Sequence, residues 1–194
     1  MAMPRTDVAA SAEAELADLE RLWQTLDIPG HRVELIDGQI VVSPSASRWH
    51  SSAIDELIDA LIDVKRSRGW RIHTNLTVHI AATRERLIPD LMIAPKDAPG
   101  FGKYELLGHG VLLVAEVVSP SSQRQDRVAK PRAYAQGRVP LYLVIDQLAD
   151  PATATLFSDP AEDSYRSCDP KTAGQPLRLP EPFGISLDTR KLLG

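Results

Sequence analysis

Glu116 is the lone carboxylate of the apolar stretch GVLLVAEVV at residues 110–118. Burying an ionised carboxylate without a partner costs several kcal/mol or forces the group to stay protonated. Alternation along a strand places Leu112, Val114, Glu116 and Val118 on one face. Asp90 stands in a similar setting, directly behind Pro89 in RLIPDLMIAP. Two such acids on neighbouring strands repel one another unless a cation lies between them. Mg2+ is held in this way, by one or two carboxylates together with waters and phosphate oxygens. Lys130 follows in the segment after Glu116 and would add an ammonium. Each residue also has a plainer reading. Asp90 reads as a turn residue, Glu116 as an arginine's partner, and Asp126 with Lys130 as an i,i+4 surface pair. The three together favour chemistry.

Other reactive types are fewer. Ser119, Ser121 and Ser122 end the apolar run and read either as helix caps or as hydroxyl contacts to phosphate. Two basic clusters are present, Lys65, Arg66, Arg68 and Arg71 in one, and Arg124, Arg127, Lys130, Arg132 and Arg138 in the other. Such groups are phosphate contacts or solvated helix faces. The second cluster, with Arg124 and Arg127 at its front, begins just behind Glu116 and so favours nucleic acid. His73 and His79 share one predicted strand face but lie too far apart to chelate one ion. No serine sits in a nucleophile elbow, and no glycine-rich loop matches a nucleotide fingerprint.

The elements that must position these groups follow from periodicity. Residues 11–27 place Leu16, Leu19, Leu22, Trp23 and Leu26 at helical spacing. Asp37-Gly38 between apolar runs predicts a hairpin. Residues 47–65 predict a second helix with Ile54, Leu57, Ile58, Leu61 and Ile62 inward. Residues 70–81 alternate as one half-buried strand, 87–95 form a short apolar strand, and 110–118 a central strand covered on both faces. Residues 122–137 predict a helix ending at Gly137, VPLYLVID a core strand, and the chain beyond Asp150 a β extension. The sum is an α/β or α+β fold, a mixed sheet flanked by helices. We expect one domain, with an N-terminal helix over 1–30, a core over 31–149 and the extension over 150–194.

Composition bounds the setting. The 194 residues carry a net charge of −4 with 43% hydrophobic and 25% charged residues, ordinary for a globular protein and against a strongly basic nucleic-acid binder. One cysteine, Cys168, excludes an intrachain disulfide and a cysteine-based zinc site. The opening stretch lacks an export signal and no run is long enough to span a bilayer, which predicts a cytoplasmic protein with no membrane partner.

The segments ELIDG, IPDLMI, AEVVSPSS, DRVAK and YAQGRVPLYLVID, in this order from about Arg32 to Asp146, resemble the Uma family of restriction endonucleases in the PD-(D/E)XK nuclease superfamily. The resemblance implies a restriction-endonuclease-like core and Mg2+-dependent hydrolysis of phosphodiesters in DNA, with Mn2+ as a substitute ion. It makes Asp90 and Glu116 the metal-holding acids, Lys130 the assisting ammonium and Glu34 an additional acid near the metal. His50 is similar to a family histidine and would contact phosphate or carry a proton. The superfamily's usual lysine lies two residues beyond the second acid, where this chain has Val118. Pro131 behind Lys130 disturbs helical geometry there. Those two departures leave open a catalytically inactive module that binds DNA or a protein. A two-carboxylate glycosidase is the distant third reading. The C-terminal strands and odd cysteine are compatible with a homodimer.

Overall fold

The computed structural model describes residues 5–44 and 46–194, with side chains from residue 10 onward. Met1–Pro4 and Ser45, which fall within stretches read above, lie outside the described residues. Helix α1 (Arg5–Thr25) begins earlier than its apolar spacing predicts. Leu16 and Leu19 are half-buried, but Leu22 is 50% exposed. The helix is instead fixed through Trp23, whose indole N–H donates to the Val33 carbonyl at 2.8 Å.

Strands β1 (Arg32–Ile36) and β2 (Gln39–Ser43) form the predicted hairpin. Asp37 (φ 49°) and Gly38 (φ 68°) both take left-handed conformations at its tip, as a two-residue turn with matching twist requires. Helix α2 (Arg48–Arg68) is capped by Ser47, whose hydroxyl accepts from the His50 N–H, and ends on left-handed Gly69. Leu57 and Leu61 are fully buried and Ile54 and Ile58 partly so.

The predicted strand over 70–81 is two strands. β3 (Arg71–His73) and β4 (Thr77–Ile80) belong to different sheets, with the break at 74–76. Period-2 alternation survives a crossing between sheets, so the pattern did not disclose it. His73 and His79 therefore share no face. β5 (Glu85–Leu87) precedes β6 (Leu91–Ala94), and the short β7 (Gly100–Phe101) and β8 (Glu105–Leu107) follow.

The apolar run supplies β9 (Leu113–Val117). A π-helical turn (Gln125–Ala129) then leads into α3 (Lys130–Gln136) and β10 (Leu141–Asp146). Past Asp150 come β11 (Thr153–Ala161), β12 (Ser164–Thr172), β13 (Pro176–Leu179), β14 (Ile185–Asp188) and the short α4 (Thr189–Leu193). Among the described residues no helix is long and apolar enough to cross a membrane.

One sheet runs β12-β11-β10-β9-β6-β3, with β9 and β10 parallel and the other pairs antiparallel. A second runs β2-β1-β5-β4-β8-β7, and β13-β14 stand apart. The first sheet is covered on both faces. Leu113, Ala115 and Val117 join Leu141, Leu143, Ile145 and the α2 leucines in one core. Val114 and Val118 face the other way, with Tyr142 and Val144, against α3 and the second sheet. Glu116 lies between Val114 and Val118 in the alternation, so its carboxylate is turned toward α3 and β1.

Candidate active site

Several segments bring their polar groups together here. Glu116 comes from β9, and its Oε1 accepts from Lys130 Nζ at 2.8 Å and from the Tyr134 hydroxyl at 3.0 Å. Lys130 also lies 3.0 Å from Asp126 Oδ1 and 3.6 Å from Glu34 Oε1. Glu34 comes from β1 and accepts the Ile88 backbone N–H at 2.7 Å. Asp90, just ahead of β6, accepts from Arg32 (2.5 Å), His50 Nε2 (2.9 Å) and the Val117 backbone N–H (2.8 Å). That last bond joins Asp90 to the residue beside Glu116, so the two acids are held across adjacent strands. The carboxylate acceptor assigns the His50 proton to Nε2.

All of these groups are sunk. Glu34, Asp90, Glu116, Asp126 and Lys130 each expose less than a tenth of their surface. They form the floor of a cleft of about 580 Å3. Arg32, His50, Ser119 and Ser121 line it too.

Four carboxylates thus face two permanent cations, Arg32 and Lys130, and the balance is negative. Burial pushes the Glu116 carboxyl up; Lys130 opposes that, but Asp90, Asp126 and Glu34 reinforce it, and the result lies well above the usual range. Burial alone would weaken the hold of Lys130 on its proton, yet Glu116, Glu34 and Asp126 around it make that hold tighter than usual. Asp90 moves the opposite way to Glu116. Burial raises it, but the bonds and charges of His50 and Arg32, with the Val117 N–H, bring it down to about 2.

Among the described residues no three His, Cys, Asp or Glu side chains converge closely enough to enclose an ion alone. The donor set still fits Mg2+, which binds through one or two carboxylates and fills its remaining positions with water and phosphate oxygens. Asp90 and Glu116 would hold the ion, with Glu34 beside them, and a divalent charge would offset the surplus of acids.

The predicted residues sort unevenly. Asp90, Glu116, Lys130, Glu34 and His50 come together, and Ser119 and Ser121 stand at the mouth, where the Ser119 hydroxyl bonds those of Ser121 and Ser122. Arg124 and Arg127 do not line the cleft. Arg127 is engaged bidentately by Asp146 at 2.7 and 3.0 Å, and Arg124 borders a separate groove beside Gly38. On a helix that emerges from the strand, proximity in sequence fixes neither direction nor reach. The Asp126–Lys130 pair, readable as a surface pair, is buried.

Residues 15–190 match the model of the Uma2 family, described as "putative restriction endonuclease". The chain belongs to the Uma2 family. Its fold is similar to a crystal structure of a putative nuclease belonging to DUF820 from Anabaena variabilis ATCC 29413, with a TM-score of 0.70 over 90% of this chain and 96% of that one. At 16% identity that likeness speaks for the restriction-endonuclease-like fold alone. No curated protein matches the chain. Family and fold together point to a nuclease.

This Uma2 chain adds three residues that the sequence reading had not assigned to the site. Arg32 stands two positions before Glu34, on the same strand face. Asp126 and Tyr134 flank Lys130 at intervals of four, on the same helix face. Both spacings were visible, but none of the three is an apolar-context anomaly like Glu116. Pro131, the feature that cast doubt on Lys130, is accommodated. The π-helical turn ends at Ala129, and Pro131 occupies the first turn of α3, where its missing N–H is not needed.

Proposed function

We propose that the chain is a metal-dependent nuclease that hydrolyses phosphodiester bonds in DNA, with Asp90 and Glu116 binding Mg2+ and Lys130 assisting. The observation that carries this reading is the convergence of Glu34, Asp90, Glu116 and Lys130 from separate elements on the floor of one cleft. Mg2+, when bound, polarises a phosphoryl oxygen and lowers the pKa of water.

The protein's own groups do the rest. Asp90 is kept ionised by Arg32 and His50 and so is a ready anionic ligand. Lys130 stays protonated and can offset charge as the phosphorus gains its fifth oxygen. Tyr134 and Lys130 fix the Glu116 carboxylate from the side of α3. Arg32, a quarter exposed, can meet a phosphate oxygen while it holds Asp90. Lys130 thereby takes the part of the usual lysine, since Val118 at that position is buried in the core.

A cleavage assay on supercoiled plasmid and on single-stranded circular DNA tests the reading. Nicking that requires Mg2+ or Mn2+ and disappears in Asp90→Ala and Glu116→Ala is expected. Activity unchanged in both variants would refute it. Metal-independent DNA binding with no cleavage under any ion would identify the inactive module instead.

A further inference from the structure

The chemistry proposed above leaves one large side chain at the cleft unused. Trp49 is 65% exposed although it opens α2 directly beside His50, which touches Asp90. Exposure on this scale is uncommon for tryptophan. The Arg48 guanidinium lies over the Trp49 ring, 5.2 Å from its centroid, so a cation sits against one side of an indole that is otherwise largely open on the rim. Val42 and Leu148, both more than 40% exposed, continue the apolar rim of the same cleft.

A second groove of about 530 Å3 adjoins the first. The two share Arg32, His50 and Asp90, so Asp90 lies where the grooves meet, while Glu34, Glu116 and Asp126 line the first groove. Their linings differ. The first has the apolar rim with Trp49, and the second has exposed polar groups, His31, Thr74 and Asn75.

We infer that the substrate is an unpaired DNA strand, threaded through both grooves with a base stacked on Trp49. This rests on the nuclease reading of the same site. An exposed indole beside an arginine is the usual platform for an unpaired base, because stacking needs a free π-face and tolerates any sequence. A base still paired inside a duplex does not offer that face. The depth of the acids argues the same way. A phosphodiester must reach a floor where Asp90, Glu116 and Lys130 are almost wholly enclosed, and a single strand can bend into such a cleft. The polar second groove then receives the backbone on the other side of the scissile bond.

The test uses the full chain with a mixed-sequence 12-nucleotide strand, alone and annealed to its complement. Mg2+-dependent cleavage should favour the single strand. Trp49→Ala should raise KM on it about tenfold, with the loss carried by KM rather than kcat, and Trp49→Phe should restore most of it. The exposed position keeps both variants folded, which an unchanged thermal midpoint verifies. One abasic nucleotide at the stacked position should cost as much as Trp49→Ala, and combining the two should cost no more. Equal KM on both DNA forms, or an unaltered KM in Trp49→Ala, overturns the inference and leaves the nuclease reading intact. Quenching of Trp49 emission by the single strand, without cleavage, sustains the inference and removes the nuclease reading.

Discussion

Lys130 sits among three carboxylates with almost no access to water, and its removal would leave those charges uncompensated. Breaking a buried pair from one side costs about 3–5 kcal/mol. Lys130→Met should therefore lower stability by about that amount in urea unfolding, and Glu116→Gln combined with Lys130→Met should recover part of it. A loss below 1 kcal/mol in the single variant would show the cluster to be hydrated. Tyr134→Phe removes one hydrogen bond to Glu116 and should cost about 1 kcal/mol in the same measurement. At this scale the sequence was informative where a residue contradicted its surroundings. Glu116 in an apolar strand and Asp90 behind Pro89 were conspicuous for that reason. Arg32 was not, because an arginine at the start of a hairpin strand contradicts nothing. Arg124 and Arg127 looked suited to phosphate by type and by their place just behind Glu116, yet Asp146 claims one of them.

Elements fix how those residues meet. The hairpin tip, α2 and the central strand were legible because a turn dipeptide, a helical stripe and a β-branched run each carry a local signal. The split between β3 and β4 had none, since one alternation serves both strands. The π-helical turn ahead of α3 was equally hidden, although Pro131 marked the place. Beside α1 a second buried network forms. Arg86 forms ion pairs with Glu105 at 2.8 Å and with Glu20 at 3.3 Å, and His79 lies 3.3 Å from Glu105. Burial, then the nearby Arg86 charge, pushes the His79 imidazole down to about 4 from an ordinary 6.5. Between those values the unfolded chain takes up a proton that the folded chain refuses. The stability His79 contributes is thus complete above pH 6.5 and is lost as pH falls toward 4. Thermal midpoints at pH 7 and pH 5 should diverge less in His79→Gln than in the parent chain. An equal divergence would place the acid sensitivity elsewhere.

At the scale of the molecule, two sheets and their helices leave one deep cleft where the strands carrying Glu34 and Glu116, the segment of Asp90 and the helix of Lys130 come together. Beyond the Arg32–Glu34 and Asp126–Lys130–Tyr134 spacings this assembly is not local in sequence, and a modest net charge of −4 conceals it. The four carboxylates against two cations make the cleft floor anionic, which repels a phosphate until a divalent ion is present. On the proposed nuclease reading, cation binding is therefore the step on which cleavage depends. Calorimetric titration of Mg2+ and Mn2+ into the parent chain and into Asp90→Ala and Glu116→Ala tests this most directly. The parent chain should take up a divalent ion, and both variants should lose that uptake. Absence of uptake by the parent chain, or undiminished uptake by the variants, would contradict that reading.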